Sequence, residues 1–214
     1  MKIIAVVVLY KCEPTLSLTI RTLISNFQHN PASFSDFHLI IYNNGPDFTD
    51  NKIKLPFDSS YVTDNGNMGL AVAYNYALVI AKDQSASWLL LLDQDSDLPI
   101  NFLKDLQTNI QQIEADTNVV ALAPRMHYHG EFFSPSRVLY GGVHRPVGKE
   151  VVGFFSREIF AVGSATTVRC SFINSLGGFN ELFWLDCLDR WLYLMIHRQN
   201  KKVLIMSSII EHNL

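Results

Sequence analysis

The segment Ile3 to Leu9 reads IIAVVVL, a run with no polar residue and mostly β-branched side chains. A strand with that pattern has no face to offer water. It must be covered on both sides, as in a parallel sheet sandwiched between helices. The apolar stretch reaches only to Tyr10 before Lys11 closes it. That is too short to span a bilayer, and no small-residue cleavage site follows. The expectation is a cytoplasmic chain built around a buried sheet.

The segments that follow alternate in the same sense. Pro14 opens a predicted helix whose Leu16, Ile20, Leu23 and Phe27 share one face. His38 to Tyr42 is a short apolar strand stopped by the turn cluster Asn43-Asn44-Gly45-Pro46. A weaker strand at Ser60 to Thr63 leads into Asp64-Asn65-Gly66-Asn67-Met68-Gly69, after which Ala71, Tyr74, Leu78 and Ala81 mark a second helix. Trp88 to Leu92 is a strand running directly into Asp93-Gln94-Asp95-Ser96-Asp97. A third helix from Pro99, with Leu103, Leu106, Ile110 and Ile113 on its face, precedes a strand at Val119 to Ala123. This alternation predicts an α/β fold with a doubly wound, mostly parallel sheet, in which ligands sit at the carboxyl ends of the strands.

From Pro124 to Glu158 the pattern breaks and reads as irregular structure or a hairpin. Periodicity returns at Phe160 to Val168, with helices near Arg169 to Leu176 and Asp186 to Arg198 and a strand at Val203 to Met206.

Composition narrows the partners. At 48% apolar residues the chain can fill a sizeable core, and disorder is excluded. With 17 Lys+Arg against 20 Asp+Glu and no basic run, the footprint of a duplex nucleic-acid binder is missing. The three cysteines, Cys12, Cys170 and Cys187, lack metal-type spacing and read as packing residues of a reducing compartment. The 12% aromatic content is compatible with contact to a membrane surface.

The chemistry concentrates where Asp93 and Asp95 emerge from the Trp88 to Leu92 strand, with Asp97 close behind. Stacked carboxylates at a strand tip suit Mg²⁺ or Mn²⁺, which can hold a diphosphate. The same residues could instead form a solvated turn capping the helix at Pro99. An EF-hand is excluded, because Leu98 stands where glycine is needed and Lys104 where a bidentate Glu is needed. A haloacid dehalogenase type phosphatase would use Asp93 as nucleophile, although that enzyme type places the residue on its first strand.

Seven blocks in order carry a resemblance. They are Ile4 to Tyr10; Tyr42-Asn43-Asn44-Gly45; Asn67-Met68-Gly69-Leu70-Ala71 with Asn75; Leu91-Leu92-Asp93-Gln94-Asp95-Ser96; Gly177-Gly178-Phe179-Asn180-Glu181; Asp186-Cys187-Leu188-Asp189 with Trp191; and Glu211-His212. In order and approximate spacing the chain resembles the family 2 inverting glycosyltransferases, most of all their bacterial rhamnosyltransferase branch. The resemblance implies a GT-A fold in a single domain over 1–214. Residues 1–124 would form the nucleotide-sugar half and 125–214 the acceptor and catalytic-base half. It also implies a dTDP- or UDP-sugar donor, with dTDP-L-rhamnose as the branch-level expectation, and Mn²⁺ or Mg²⁺. The implied acceptor is a surface polysaccharide, O antigen or capsule, lipid-linked at the inner face of the cell membrane.

Residue by residue, the implied metal ligands are Asp93, Asp95 and His212. The implied substrate-binding residues are Leu9, Tyr10, Asn43, Asn44, Asn67, Gly69, Leu70, Asn75, Asp93, Gln94 and Trp191. The amides of Asn43 and Asn44 can pair with a nucleobase edge or serve as turn residues, and the family usually has Asp in place of Asn43. Asn67 and Gly69 open a helix whose N-terminus would face the donor, with Gly69 permitting close backbone approach; they also suit an N-cap. Inverting transfer needs a base on the face opposite the leaving diphosphate. The run Asp186-Cys187-Leu188-Asp189-Arg190-Trp191 lacks the family's Glu and is one residue shorter, so Asp186 and Asp189 both qualify, and macrodipole capping could also explain them. Asp189 is favoured because Trp191 and Leu192 would anchor its turn in the core. His127, His129 and His144 show no ligand spacing. Family members continue past the histidine with further helices on the acceptor side, while this sequence stops two residues after His212. A nucleotide-sugar-binding domain without catalysis is the remaining alternative.

Overall fold

A computed structural model describes residues 2–45, 53–64, 66–139, 143–147, 151–156 and 159–212. In chain order the elements are β1 (Ile3–Leu9), α1 (Leu18–His29), a 3₁₀ turn (Pro31–Phe34), β2 (Phe37–Asn43), β3 (Ser59–Thr63), α2 (Leu70–Asp83), β4 (Trp88–Asp93), β5 (Ser96–Asp97) and α3 (Phe102–Ile113). They continue with β6 (Val119–Tyr128), β7 (Glu131–Ser134), β8 (Ser136–Val138), β9 (His144–Pro146), β10 (Gly153–Phe155), β11 (Ile159–Phe160), β12 (Thr167–Arg169), α4 (Cys170–Ser175), α5 (Leu188–Arg198) and β13 (Lys202–His212).

The main sheet runs β10-β13-β6-β12-β4-β1-β2-β3. β1 is parallel to β2 and β4, β2 to β3, and β13 to β6, while β12 is antiparallel to both β4 and β6. Two successive reversals leave β6 and β13 running with β1 and β4. The carboxyl ends of all the parallel strands therefore gather along one edge. β8, β9 and β11 form a separate small sheet.

The continuous apolar pattern of β1 has the expected cause. Ile4, Val6 and Val8 pack into one core cluster with α2, α4 and α5, and Ile3, Ala5, Val7 and Leu9 pack into the other with α1 and α3. β4 divides likewise, with Leu89 and Leu91 on the first face and Trp88, Leu90 and Leu92 on the second. Each large aliphatic side chain buried in this way contributes roughly 1.5–3 kcal/mol. The strand tip bearing Asp93 is thus held from both sides.

Several boundaries differ from expectation. α1 begins at Leu18 rather than near Pro14, because residues 13–17 form a turn and the Ser17 hydroxyl caps the helix by accepting the Ile20 N–H. Leu16 consequently points away from the helix face and is 66% exposed. After Pro124, β6 runs unbroken through Tyr128 and turns back as β7, the hairpin alternative, while Gly141, Gly142 and Gly148 lie outside the described residues. The 124/125 division falls inside β6, and one sheet joins strands from both halves. The last strand extends through His212 rather than ending at Met206. α5 starts at Leu188, not Asp186, because its N-cap Cys187 has φ of 65°, a left-handed conformation that cannot continue a helix backwards. Cys187 is exposed, so it is not the packing residue expected.

Candidate active site

At the carboxyl edge, Asp93 ends β4 opposite Val8 of β1. The turn that follows is fixed from α1. The fully buried Thr19 places its hydroxyl 2.6 Å from the Asp93 carbonyl and accepts the Ser96 N–H at 2.9 Å. Ser17 donates to the Gln94 carbonyl at 2.8 Å. The Gln94 side chain accepts the Tyr10 N–H at 2.9 Å, tying the turn to the end of β1. Ser96 and Ser164, both buried, pair through their hydroxyls at 2.6 Å. Asp93, Gln94 and Asp95 are thereby presented by a turn whose backbone is satisfied from neighbouring segments.

Two cavities meet there. The outer one, about 540 Å³, is lined by Val8, Tyr10, Asn44, Asn67, Leu70, Asp93, Gln94, Asp95, Trp184, Leu185 and Asp186. The inner one, about 150 Å³, is bounded by Tyr74, Leu91, Gly163, Leu192 and Asp189 among others. Leu70, Asp93, Leu185 and Asp186 line both, so the two spaces adjoin.

Asp186 and Asp189 are brought together at the inner cavity, but not on one helical face as the spacing predicts. Asp186 lies in the bend before α5 and is exposed, whereas Asp189 is in the first turn of α5 and half-buried. Burial pushes the Asp189 carboxyl above the ordinary carboxylate range, against the lowering effect of the Arg190 N–H at 2.7 Å, the Arg190 charge and the Gly163 N–H. Tyr74 shares this cavity. Burial first, then the charges of Asp93 and Asp189, hold its phenol well above the usual value. Tyr193 is raised by burial as well, with a further contribution from Asp189.

Other expected substrate contacts resolve into supports. Asn44 lines the outer cavity, but its amide is engaged: Nδ2 donates to Asn67 Oδ1 at 3.1 Å and Oδ1 accepts the Gly69 N–H at 3.1 Å. Asn43 is 1% exposed, accepts the Gly45 N–H and donates to Thr63, so it faces inward rather than toward a base. Leu9 is wholly in the core. Asn75 accepts the Phe179 N–H at 2.7 Å and donates to the Phe179 carbonyl and Glu181, holding the loop after Gly178 instead of lining a cavity. Trp191 packs against Phe179, with ring centroids 6.4 Å apart.

The close approach expected at Gly69 is real, but its partner is protein. With φ of +93°, a Cβ there would fall 2.3 Å from the Trp184 carbonyl oxygen. Leu70 donates its N–H to that same carbonyl at 2.9 Å, and Trp184 Nε1 donates to the Asn67 carbonyl at 3.0 Å. The amides opening α2 are thus covered by the loop before α5. Sequence reasoning missed Trp184, Thr19 and Tyr74. The aperiodic apolar run Leu182-Phe183-Trp184-Leu185 was the one available signal for the first.

Among the described residues no group of three His, Cys, Asp or Glu side chains forms a ready metal cluster. The backbone of His212 pairs with Ser96, adjoining Asp95, and its side chain lies outside the described residues. No helix among them is long and apolar enough to cross a membrane.

The sequence model of glycosyl transferase family 2 matches residues 4–174. Solved structures similar to this fold include S. aureus TarS 1-349, with a TM-score of 0.62 at 14% identity over 100% of this chain and 60% of that one. S. aureus TarS 1-349 in complex with UDP-GlcNAc gives 0.62 at 15% identity, over 100% and 59%. Its complex with UDP gives 0.62 at 14%, over 99% and 60%. At such identity the likeness establishes the fold, a GT-A fold. The chain spans about 60% of the length of these structures. No curated protein matches the sequence.

Proposed function

The chain belongs to glycosyl transferase family 2, and from that premise we propose that it transfers a sugar from a nucleoside diphosphate donor to a saccharide hydroxyl with inversion. The observation that carries this is the pair of adjoining cavities. Asp93 and Asp95 stand at the outer space and Asp189 at the inner one, with Asp93 and Asp186 lining both.

In this arrangement the nucleotide occupies the outer cavity, within the size range of small-molecule sites, and the sugar projects toward Asp189. Asp189 takes the proton of the acceptor hydroxyl while that oxygen attacks the anomeric carbon. The bond to the diphosphate breaks on the opposite face, and the diphosphate leaves with the bonding pair. The raised Asp189 carboxyl suits this role, because a base whose pKa approaches the working pH takes a proton more effectively. Asp186, exposed and lining both cavities, contacts the sugar and orients it.

The donor set fits a divalent cation. Mg²⁺ is commonly held by one or two carboxylates plus substrate phosphates, and Asp93 and Asp95 supply two, with His212 as a further ligand. Such an ion, when bound, neutralises charge on the diphosphate. The donor is a dTDP- or UDP-sugar: L-rhamnose on dTDP follows from the branch resemblance, and UDP and UDP-GlcNAc are the ligands of the TarS complexes. The acceptor is a growing surface polysaccharide, lipid-linked, met at the inner face of the cell membrane. Trp184 and Leu185, exposed and lining the outer cavity, support an apolar carrier. Family membership replaces the phosphatase reading of Asp93.

Thermal shifts with UDP and dTDP, with and without Mn²⁺, test the proposal. A nucleotide at about 100 Kd should add roughly 2.7 kcal/mol of stability. Asp95→Asn should abolish the Mn²⁺-dependent part and leave the ligand-free melting temperature unchanged. Equal binding by variant and wild type would refute the metal assignment.

A further inference from the structure

Outside these cavities, β6, β7 and β13 carry an open groove of about 420 Å³ lined by Arg125, His127, Phe132, Ile209 and Glu211. Register locates it. On β6, Ala121 and Ala123 belong to the core face that α5 covers, and Met126 to the opposite face. Strand alternation then puts Arg125 and His127 on the α5 side. On β13, Ile210 belongs to the far face, so Ile209 and Glu211 also share the α5 side. Phe132 pairs directly with His127 across the β6–β7 ladder. The groove lies at the carboxyl edge of the sheet, the edge that carries Asp93. Asp97 pairs with Glu211 and Glu211 with His127. The groove therefore begins one strand spacing, roughly 5 Å, from β5 at Glu211 and reaches two spacings away at His127; the first residue of β5 follows Asp95.

Its side chains hold one another in place. His127 Nδ1 pairs with the Glu211 carboxylate. The Arg125 guanidinium sits 5.6 Å over the Phe132 ring and donates to the Ser207 carbonyl at 2.5 Å. The His127 and Phe132 rings are 5.0 Å apart. With a guanidinium and a carboxylate in one groove, neither a strongly anionic nor a strongly cationic ligand is favoured. Hydroxyl groups both donate and accept, and so match both. Phe132 and the exposed Ile209 offer an apolar wall suited to the C–H face of a pyranose ring.

We propose that this groove is a saccharide subsite, binding a pyranose unit of the acceptor set back from the reacting hydroxyl. It rests on the glycosyl-transfer reading given above. The test is saturation-transfer NMR on the full chain saturated with UDP or dTDP. The probes are the methyl pyranosides of glucose, galactose, mannose, rhamnose and N-acetylglucosamine at millimolar concentration. The wild type should bind at least one. Phe132→Ala and Glu211→Gln should each weaken that binding by roughly tenfold or more, with nucleotide affinity by calorimetry unchanged. A wild type that binds none of these pyranosides, or variants that bind them equally well, would overturn the subsite. Should Phe132→Ala melt early, Glu211→Gln decides, since its carboxylate is half exposed on the surface. Failure of the wild type to bind any nucleoside diphosphate would instead sink the glycosyl-transfer reading, an outcome read in the separate calorimetric arm.

Discussion

The outer and inner cavities share four residues and are built by opposite means. The outer wall is held by polar clamps between segments far apart in sequence: Thr19 and Ser17 on the turn after Asp93, Asn44 bridging Asn67 and Gly69, and Trp184 on the opening of α2. The inner wall is mostly apolar, with Leu91, Leu188, Leu192 and Phe179 surrounding Tyr74 and Asp189. The clamps fix positions, as recognition of a nucleotide requires. The apolar wall removes water from one carboxylate and changes its proton affinity, as a base requires.

The contrast can be broken from either side. The largest effect is expected at Gly69→Val, which combines a Cβ 2.3 Å from the Trp184 carbonyl with a β-branched residue at φ of +93°. Strain of about 1–3 kcal/mol and overpacking of a similar size should together cost upwards of roughly 3 kcal/mol. Urea unfolding measures this. A loss below 1 kcal/mol would mean that the Trp184 loop gives way freely and is not a fixed wall.

Thr19→Val comes next. It keeps the shape but removes the hydroxyl that serves Asp93 and Ser96, which should cost about 1–3 kcal/mol and weaken Mn²⁺-dependent UDP binding. Stability loss with unaltered nucleotide affinity would show that the turn holds its position without this clamp.

The smallest effect concerns the inner wall and is one of sign. The folded-state pKa of Asp189 is raised, so between its unfolded and folded values the native state binds more protons. Stability from this group is present below the unfolded pKa and is lost as pH rises through the folded one. Asp189→Asn removes that loss, so at neutral pH the variant should melt no lower than wild type, and their difference should vanish in acid. A variant that melts lower at neutral pH would assign Asp189 a structural role.

What was legible in the sequence follows the same division. The strand tips and helix faces are local patterns, and a fully apolar β1 announces its two covered faces. Asp93, Asp95, Asp186 and Asp189 stand out as carboxylates beside apolar segments. Thr19 carries no local mark, since its partner Asp93 lies 74 residues away. Asn75 looks like a polar site residue because only the fold brings it to the loop at Phe179. Gly69 reads in the sequence as a point of close approach to the donor, whereas the group that approaches it in the fold is Trp184, contributed by a loop with no periodicity. The break before α5 depends on a left-handed Cys187, a conformation unusual for a residue other than glycine, so helical spacing placed Asp186 on a helix that does not include it.

The central claim is that Asp189 is the base for sugar transfer from a nucleotide bound next door. The direct measurement is the rate of nucleoside diphosphate release from UDP- and dTDP-sugars in the presence of saccharide acceptor, for Asp189→Asn and Asp186→Asn, with nucleotide affinity taken in parallel by calorimetry. Asp189→Asn should lose roughly 10²- to 10⁴-fold in rate at unchanged affinity, and Asp186→Asn should lose less. A larger loss at Asp186, or full activity in both variants, would contradict it.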